Sequence, residues 1–238
     1  MAIASAASAG ISGDFHDMSW SYNGISVDLF SVGEVEDLGG GGNLWSGTDL
    51  VLDEKFTMHN YACTSWVGQG DGGPTSFIDA AFEVTNNSLN TETFQLIMTL
   101  AVGPHGPTTE RSGSVAATVT SNQFADPGIL SAVSGGSVYT AWTDLVDPMT
   151  DPPAATLLND PFSIETTTPF GSADDSASLT PMVGPMVNNT ISIMFEFDLT
   201  AGDTASVSGL FQIAAVPAPG AFALLGLAGL AGRSRRRR

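Results

Sequence analysis

Between about residue 20 and residue 215 the chain alternates apolar and polar positions with period two. That is the pattern of half-buried strands rather than of amphipathic helices. Trp20, Tyr22, Ile25, Val27 and Leu29 alternate with polar residues across a local break at Asn23-Gly24. Phe56, Met58, Asn60 and Ala62 alternate against Thr57, His59 and Tyr61 in a second run that continues to Val67. Phe77–Thr85 and Thr93–Val102 flank the turn-rich connector Asn86-Asn87-Ser88-Leu89-Asn90, which predicts an antiparallel pair joined by a longer loop. Further strands are predicted at Ser114–Thr120, Val138–Val146, Ile191–Leu199 and Ala205–Ile213, the last two joined as a hairpin through Thr200-Ala201-Gly202-Asp203. No segment before Val216 has the spacing and caps of an amphipathic helix.

Eight or nine strands separated by Gly, Pro, Asn and Asp loops predict an all-β fold, an antiparallel β-sandwich of jelly-roll-like form. Four connectors read as long loops: Gly33–Asp49, Gly68–Ser76, Gly103–Arg111 and Asp147–Val187. The last carries seven prolines, and its length predicts short edge strands within it, such as Phe162–Thr166. Composition agrees: 27 Gly and 13 Pro in 238 residues disfavour a helical protein, and 42% apolar residues are too many for wholesale disorder. No repeat period and no second domain is visible, so residues 10–215 read as one β-sandwich domain.

Charge narrows the partners. The chain carries 25 acidic residues, all before position 204, against 7 cations, five of them in the last six residues. The body is left with Lys55 and Arg111 against 25 acids, a charge of −23. Such a surface repels nucleic acid and anionic lipid, so no nucleic-acid partner is expected.

The C-terminus is the most informative stretch. Pro217-Ala218-Pro219 is followed by thirteen residues, 220–232, without a polar side chain, and then by Arg233, Ser234 and Arg235, Arg236, Arg237 and Arg238. A helix over the apolar run rises about 20 Å, short of a hydrocarbon core of about 30 Å, so it predicts a short transmembrane helix, its arginines held in the cytoplasm. This three-part layout resembles the PEP-CTERM sorting signal of Gram-negative bacteria over residues 216–238. The family box is Pro-Glu-Pro; here Ala218 stands where Glu is expected, which leaves the exosortase subtype open. The resemblance implies an exosortase-type membrane protease as partner and cleavage near the proline box. It also implies transient anchoring, then delivery to the cell surface or an extracellular matrix with exopolysaccharide. It implies nothing about the body. At the other end, Ala7-Ser8-Ala9 has the small-x-small form of a signal-peptidase site without a basic or apolar region before it. Residues 1–9 are read as the remnant of a signal peptide, in preference to a plain N-terminal arm.

Chemistry is sparse. Cys63 stands alone, so no intramolecular disulfide is available, and it reads as a buried strand residue. His16, His59 and His105 are dispersed, with no zinc-hydrolase or serine-hydrolase motif around them. No catalytic residue is assigned. Asp144, Asp147 and Asp151 cluster as candidate calcium ligands, against the plainer reading of a solvated acidic surface, and no firm cofactor is expected. Among the tryptophans, Trp20, Trp66 and Trp142 fall in predicted strands and read as core. Trp45 lies in a glycine-rich stretch and is the candidate glycan contact, with loop packing as the alternative. The leading expectation is an exported, non-enzymatic surface or matrix protein. A carbohydrate-binding module comes second and an extracellular hydrolase third.

Overall fold

The computed structural model describes residues 18–27, 33–70, 73–123 and 126–216. The signal-peptide remnant at 1–9 lies outside them. So does the sorting segment from Pro217, Ala218 and Pro219 through the apolar span to Arg233, Arg235, Arg236, Arg237 and Arg238. Among the described residues there is no helix, and the sixteen strands pair only antiparallel, so this part of the chain is all-β.

The chain begins with β1 (Met18–Tyr22) and β2 (Ile25–Val27), a hairpin closed by Asn23 and Gly24, both at positive φ as a two-residue turn requires. Next come β3 (Glu34–Gly39), β4 (Gly42–Gly47) and β5 (Leu50–Leu52), where a long loop was expected. The glycines that suggested a loop form the turn of the β3–β4 hairpin. A Cβ on Gly41 would overlap the carbonyl oxygen of Val67, to whose N–H Gly41 gives its own carbonyl at 2.9 Å. The long strands β6 (Phe56–Gly70) and β7 (Gly73–Asn86) then pair as far as Gly70 with Gly73, so most of the expected loop at Gly68–Ser76 is strand.

β8 (Glu92–Ala101), β9 (Thr108–Thr120), β10 (Ile129–Ser131) and β11 (Ser137–Thr143) follow. The proline-rich stretch 147–187 holds β12 (Ala155–Asn159), β13 (Ser163–Glu165) and the fourteen-residue β14 (Ser172–Pro185). β15 (Thr190–Leu199) and β16 (Thr204–Ala215) complete the fold. One sheet has the order β12-β11-β15-β8-β1-β2, with β10 bridging β15 and β13. The other runs β14-β9-β16-β7-β6-β4-β3, with β5 beside β6.

Two predicted hairpins are corrected by this order. β7 and β8 lie in different sheets, and so do β15 and β16, so both connectors cross from one layer to the other. The layers meet through aromatic rings: Phe82 against Phe94 and Phe195 at 5.4 and 5.1 Å, and Trp45 against Trp20 at 4.0 Å. Tyr139 donates its hydroxyl across the gap to the carbonyl of Leu210 at 2.9 Å. The core between the sheets is one continuous cluster, the packing expected of a β-sandwich.

β6 departs from the predicted phase. Its register against β7 shifts between Met58 and Tyr61, a bulge that places two residues of β6 opposite one of β7. Beyond it Tyr61, Cys63 and Ser65 face the core and Ala62 faces out.

Candidate functional site

The bulge in β6 turns Ala62 outward into a row of small residues on the outer face of its sheet. Glu34, Ser46, Ala62, Ala81, Ser208, Ala116 and Ser176 are successive cross-strand partners on β3, β4, β6, β7, β16, β9 and β14. All seven face away from the core, and six of them are Ala or Ser. At about 4.8 Å per strand the row spans about 29 Å, perpendicular to the strands.

Larger side chains, interspersed with further serines, stand in the rows on both sides. The next row toward one end is Leu44, Thr64, Asp79, Leu210, Ser114 and Ser178; the next toward the other contains Glu83, Ser206, Thr118 and Asp174. Two depressions open along the line. One of about 770 Å³ is lined by Glu34, Ser46, Ala62, Ala81, Glu83 and Ser206 among others. The second, about 320 Å³, includes Asp79, Ser114, Ala116, Ser176 and Ser208. The outer face of this sheet is thus a shallow groove with a floor of methyl and hydroxyl groups and carboxylates at its margins. Asp79 is exposed at its outer atoms, yet desolvation by the sheet face pushes its carboxyl above the ordinary range.

An aromatic pair stands farther along the same face. Trp66 and Phe77 are direct cross-strand partners, both half-buried, and Gly42 faces Trp66 from the other side. The indole lies against backbone kept clear by glycine. A Cβ on Gly42 or Gly40 would come within 3.1 Å of the six-membered ring, and one on Gly68 within 2.7 Å of Cζ2. Trp66 therefore belongs to the outer surface and not to the core, contrary to its sequence reading.

The other tryptophans are placed differently. Trp20 is in the core as expected. Trp142 is buried, but outside the inter-sheet cluster, with its indole N–H donated to the carbonyl of Asp151 at 3.1 Å. Trp45, the candidate glycan contact, lies in β4 rather than in a loop. It is 3% exposed and stacked on Tyr61 at 4.6 Å, so it offers no free face to a sugar ring. Glycines mislead here because Gly33 and Gly47 are spacers: a Cβ at 33 would strike the Trp45 indole, and one at 47 the Tyr61 ring.

Asp144, Asp147 and Asp151 are each committed to local backbone. Asp144 accepts the N–H groups of Asn188, Asn189 and Thr190 at 3.0, 2.6 and 3.3 Å, tying the loop after β11 to the entry of β15. Asp147 accepts from the N–H of Met149 and the hydroxyl of Thr150, closing its own turn. Asp151 accepts the N–H groups of Val146 and Asp147, which hold its carboxyl below the usual range. Among the described residues no group of three or more His, Cys, Asp or Glu side chains converges on a metal position.

Cys63 is 1% exposed on the core face of β6, and burial pushes its thiol far up, away from thiolate chemistry. His59 bridges Asp49 and Thr85 on the surface. His105 is 1% exposed; its Nδ1–H donates to the carbonyl of Gly103 at 2.6 Å, leaving Nε2 to accept the Ser76 hydroxyl at 3.0 Å. That is the polarity of an activated serine, but Ser76 is wholly buried and does not line the 250 Å³ depression beside His105. The pair is a satisfied core contact.

No family model matches the chain, and neither does any curated protein. Among solved structures, the K1 cleaved adhesin domain of Lys-gingipain from Porphyromonas gingivalis W83 aligns over 81% of this chain and 96% of its own. The two are 11% identical with a TM-score of 0.24, a likeness that carries no argument about this protein.

Proposed function

We propose that the protein is an exported, non-enzymatic component of the cell surface or extracellular matrix, and that its sandwich binds polysaccharide along the groove that crosses seven strands, β3 to β14, of the second sheet. The observation that carries the binding half is the register-matched row from Glu34 to Ser176. A floor of Ala and Ser about 24 Å long, from Ser46 to Ser176, accommodates an extended polymer rather than a compact metabolite. Hydroxyl and carboxylate groups at its sides suit sugar hydroxyls. With only Lys55 and Arg111 in the body against 25 acids, the charge favours neutral or amino-sugar polymers over uronates. The outward indole of Trp66 supplies a second surface on which a pyranose ring can stack.

Export rests on the C-terminal pattern, with signal peptidase and an exosortase-type protease as processing partners. Deleting residues 233–238 removes the charges that hold the C-terminus inside, so precursor accumulates or leaks. Mature protein at the surface after that deletion would refute the sorting half.

Filling the row tests the groove. Ala81→Tyr and Ser208→Tyr add bulk at exposed positions without touching the core. In affinity electrophoresis through neutral, amino-sugar and uronate polysaccharides, retardation by a neutral or amino-sugar gel is expected for the parent chain and a tenfold or greater loss for either variant, on the order of 1.4 kcal/mol. Equal retardation of parent and variants, or none in any gel, would remove the groove as the binding site.

A further inference from the structure

The two cations of the body live in opposite circumstances. Lys55 is half exposed and reaches Oε2 of Glu92 at 2.7 Å. Arg111 points inward from β9, between Ile213 of β16 and Met182 of β14, and is 8% exposed. Its Nε and Nη2 are buried, and neither has a hydrogen-bond partner in the protein. These two nitrogens form one edge of the guanidinium, the fork whose parallel N–H groups grip a carboxylate or phosphate with two bonds.

Gly184 of β14 lies beneath the guanidinium: a Cβ there would come within 2.6 Å of Cζ and would collide with Nε. Asp144 is the acid whose charge acts on Arg111, but its oxygens already accept the N–H groups of residues 188–190. Burial lowers the tendency of Arg111 to hold its proton, yet guanidinium stays charged at any ordinary pH. A cation removed from water with one edge unbonded is strongly disfavoured unless a partner restores both the charge balance and the two hydrogen bonds. In a body with 25 acids, no carboxylate of the described residues supplies that partner.

We infer that the Nε–Nη2 edge of Arg111, backed by Gly184 where β9 meets β14, is a binding site for one oxyanion: a carboxylate, phosphate or sulfate group. Arg111 faces the interior of the sandwich and the groove lies on the outer face of the same sheet, so this site and the proposed glycan groove stand or fall separately.

Thermal unfolding of the full chain in sodium acetate, phosphate or sulfate, each against chloride at equal ionic strength, tests the site and separates the sources of the oxyanion. At least one should raise Tm saturably, by about 3–6 °C at tenfold excess over its Kd. Sulfate and phosphate also stabilise proteins by exclusion, without saturating, and Arg111→Gln isolates that background. The saturable part should vanish in the variant. If Arg111→Gln fails to fold, the Nε–Hε resonance of Arg111 in the parent chain carries the test, because the other five arginines lie in the last six residues. It should move saturably with the same anion that raises Tm. No saturable response to any oxyanion, or an equal response in the variant, would mean that the edge is satisfied by water, and the site would be abandoned.

Discussion

Asp79 stands in the border of the groove between Thr64 and Leu210 on neighbouring strands, and desolvation raises its carboxyl pKa in the folded state. The sign of the consequence follows from linkage. A raised folded pKa means that the fold prefers the protonated acid, so stability is lost as pH rises from the unfolded value of about 3.9 through the folded one. At neutral pH the whole penalty is present. Asp79→Asn should therefore raise Tm at about pH 7, with the advantage shrinking as pH falls and gone below about 3.9. The effect should be small because the outer atoms of Asp79 remain in water. A Tm lowered by Asn at neutral pH would sink the assignment. Asp151 is the opposite case: two backbone N–H groups favour its ionised form and so stabilise the turn over Trp142 only while it is charged. Two acids of one chain thus carry opposite signs, set by whether backbone donors or desolvation dominates.

Asn86 governs the two connections that pass between the sheets. It is fully buried at the end of β7, and its Nδ2 donates to the carbonyls of Asn90 and Leu199 at 2.8 Å each. Its Oδ1 accepts the N–H of Ser88, its own N–H goes to Asp203, and its carbonyl takes the N–H of Gly202. The crossing from β7 to β8 and the crossing from β15 to β16 are therefore tied together by one side chain. Asn86→Ala removes three side-chain hydrogen bonds and orphans buried groups in both crossings, at about 1–3 kcal/mol for each group left unsatisfied. A total loss of about 2–5 kcal/mol in urea unfolding is expected; a loss under about 0.5 kcal/mol would mean that the crossings are held elsewhere.

The same element explains what the sequence could and could not convey. Alternation located β1, β6 to β9, β15 and β16, because each buries one apolar face, and β11, which is buried on both, still alternates in sequence. It could not tell a hairpin from a crossing, since Asn-Asn-Ser and Ala-Gly-Asp turns serve both and only long-range bonds such as Asn86 to Leu199 decide. β3 and β4 were hidden by glycines that make room for neighbouring indoles. β14 was hidden because an edge strand reading Asp174-Asp175-Ser176-Ala177-Ser178 buries little apolar surface. The groove was illegible for a related reason. Ala and Ser at outward positions carry no motif, and their alignment exists only once the order β14-β9-β16-β7-β6-β4-β3 is known.

At the scale of the whole molecule, charge and hydrophobic packing pull in opposite directions. The core is rich in aromatic rings packed mostly edge to face and needs no ion pair, and the described residues hold one Lys–carboxylate pair, Lys55 with Glu92. The remaining acids are spread over a body that carries −23 from 25 acids and two cations, so the long-range term opposes folding. Local bonds satisfy several carboxylates, among them Asp144, Asp147 and Asp151, but backbone N–H groups leave their net charge in place. Repulsion between exposed charges is screened beyond about 10 Å at about 0.1 M salt and reaches roughly three times farther at about 0.01 M. The chain should accordingly melt higher in about 0.5 M NaCl than in about 0.01 M, with most of the rise complete once the Debye length falls below the spacing of neighbouring acids. Millimolar Ca²⁺ at matched ionic strength should add no saturable increment, because the three loop aspartates are engaged separately. A saturating rise lost in Asp147→Asn would instead show that the loop rearranges to gather them. A Tm indifferent to NaCl would overturn the repulsion argument itself, since it would require the acids to be neutralised by tightly held counterions before salt is added.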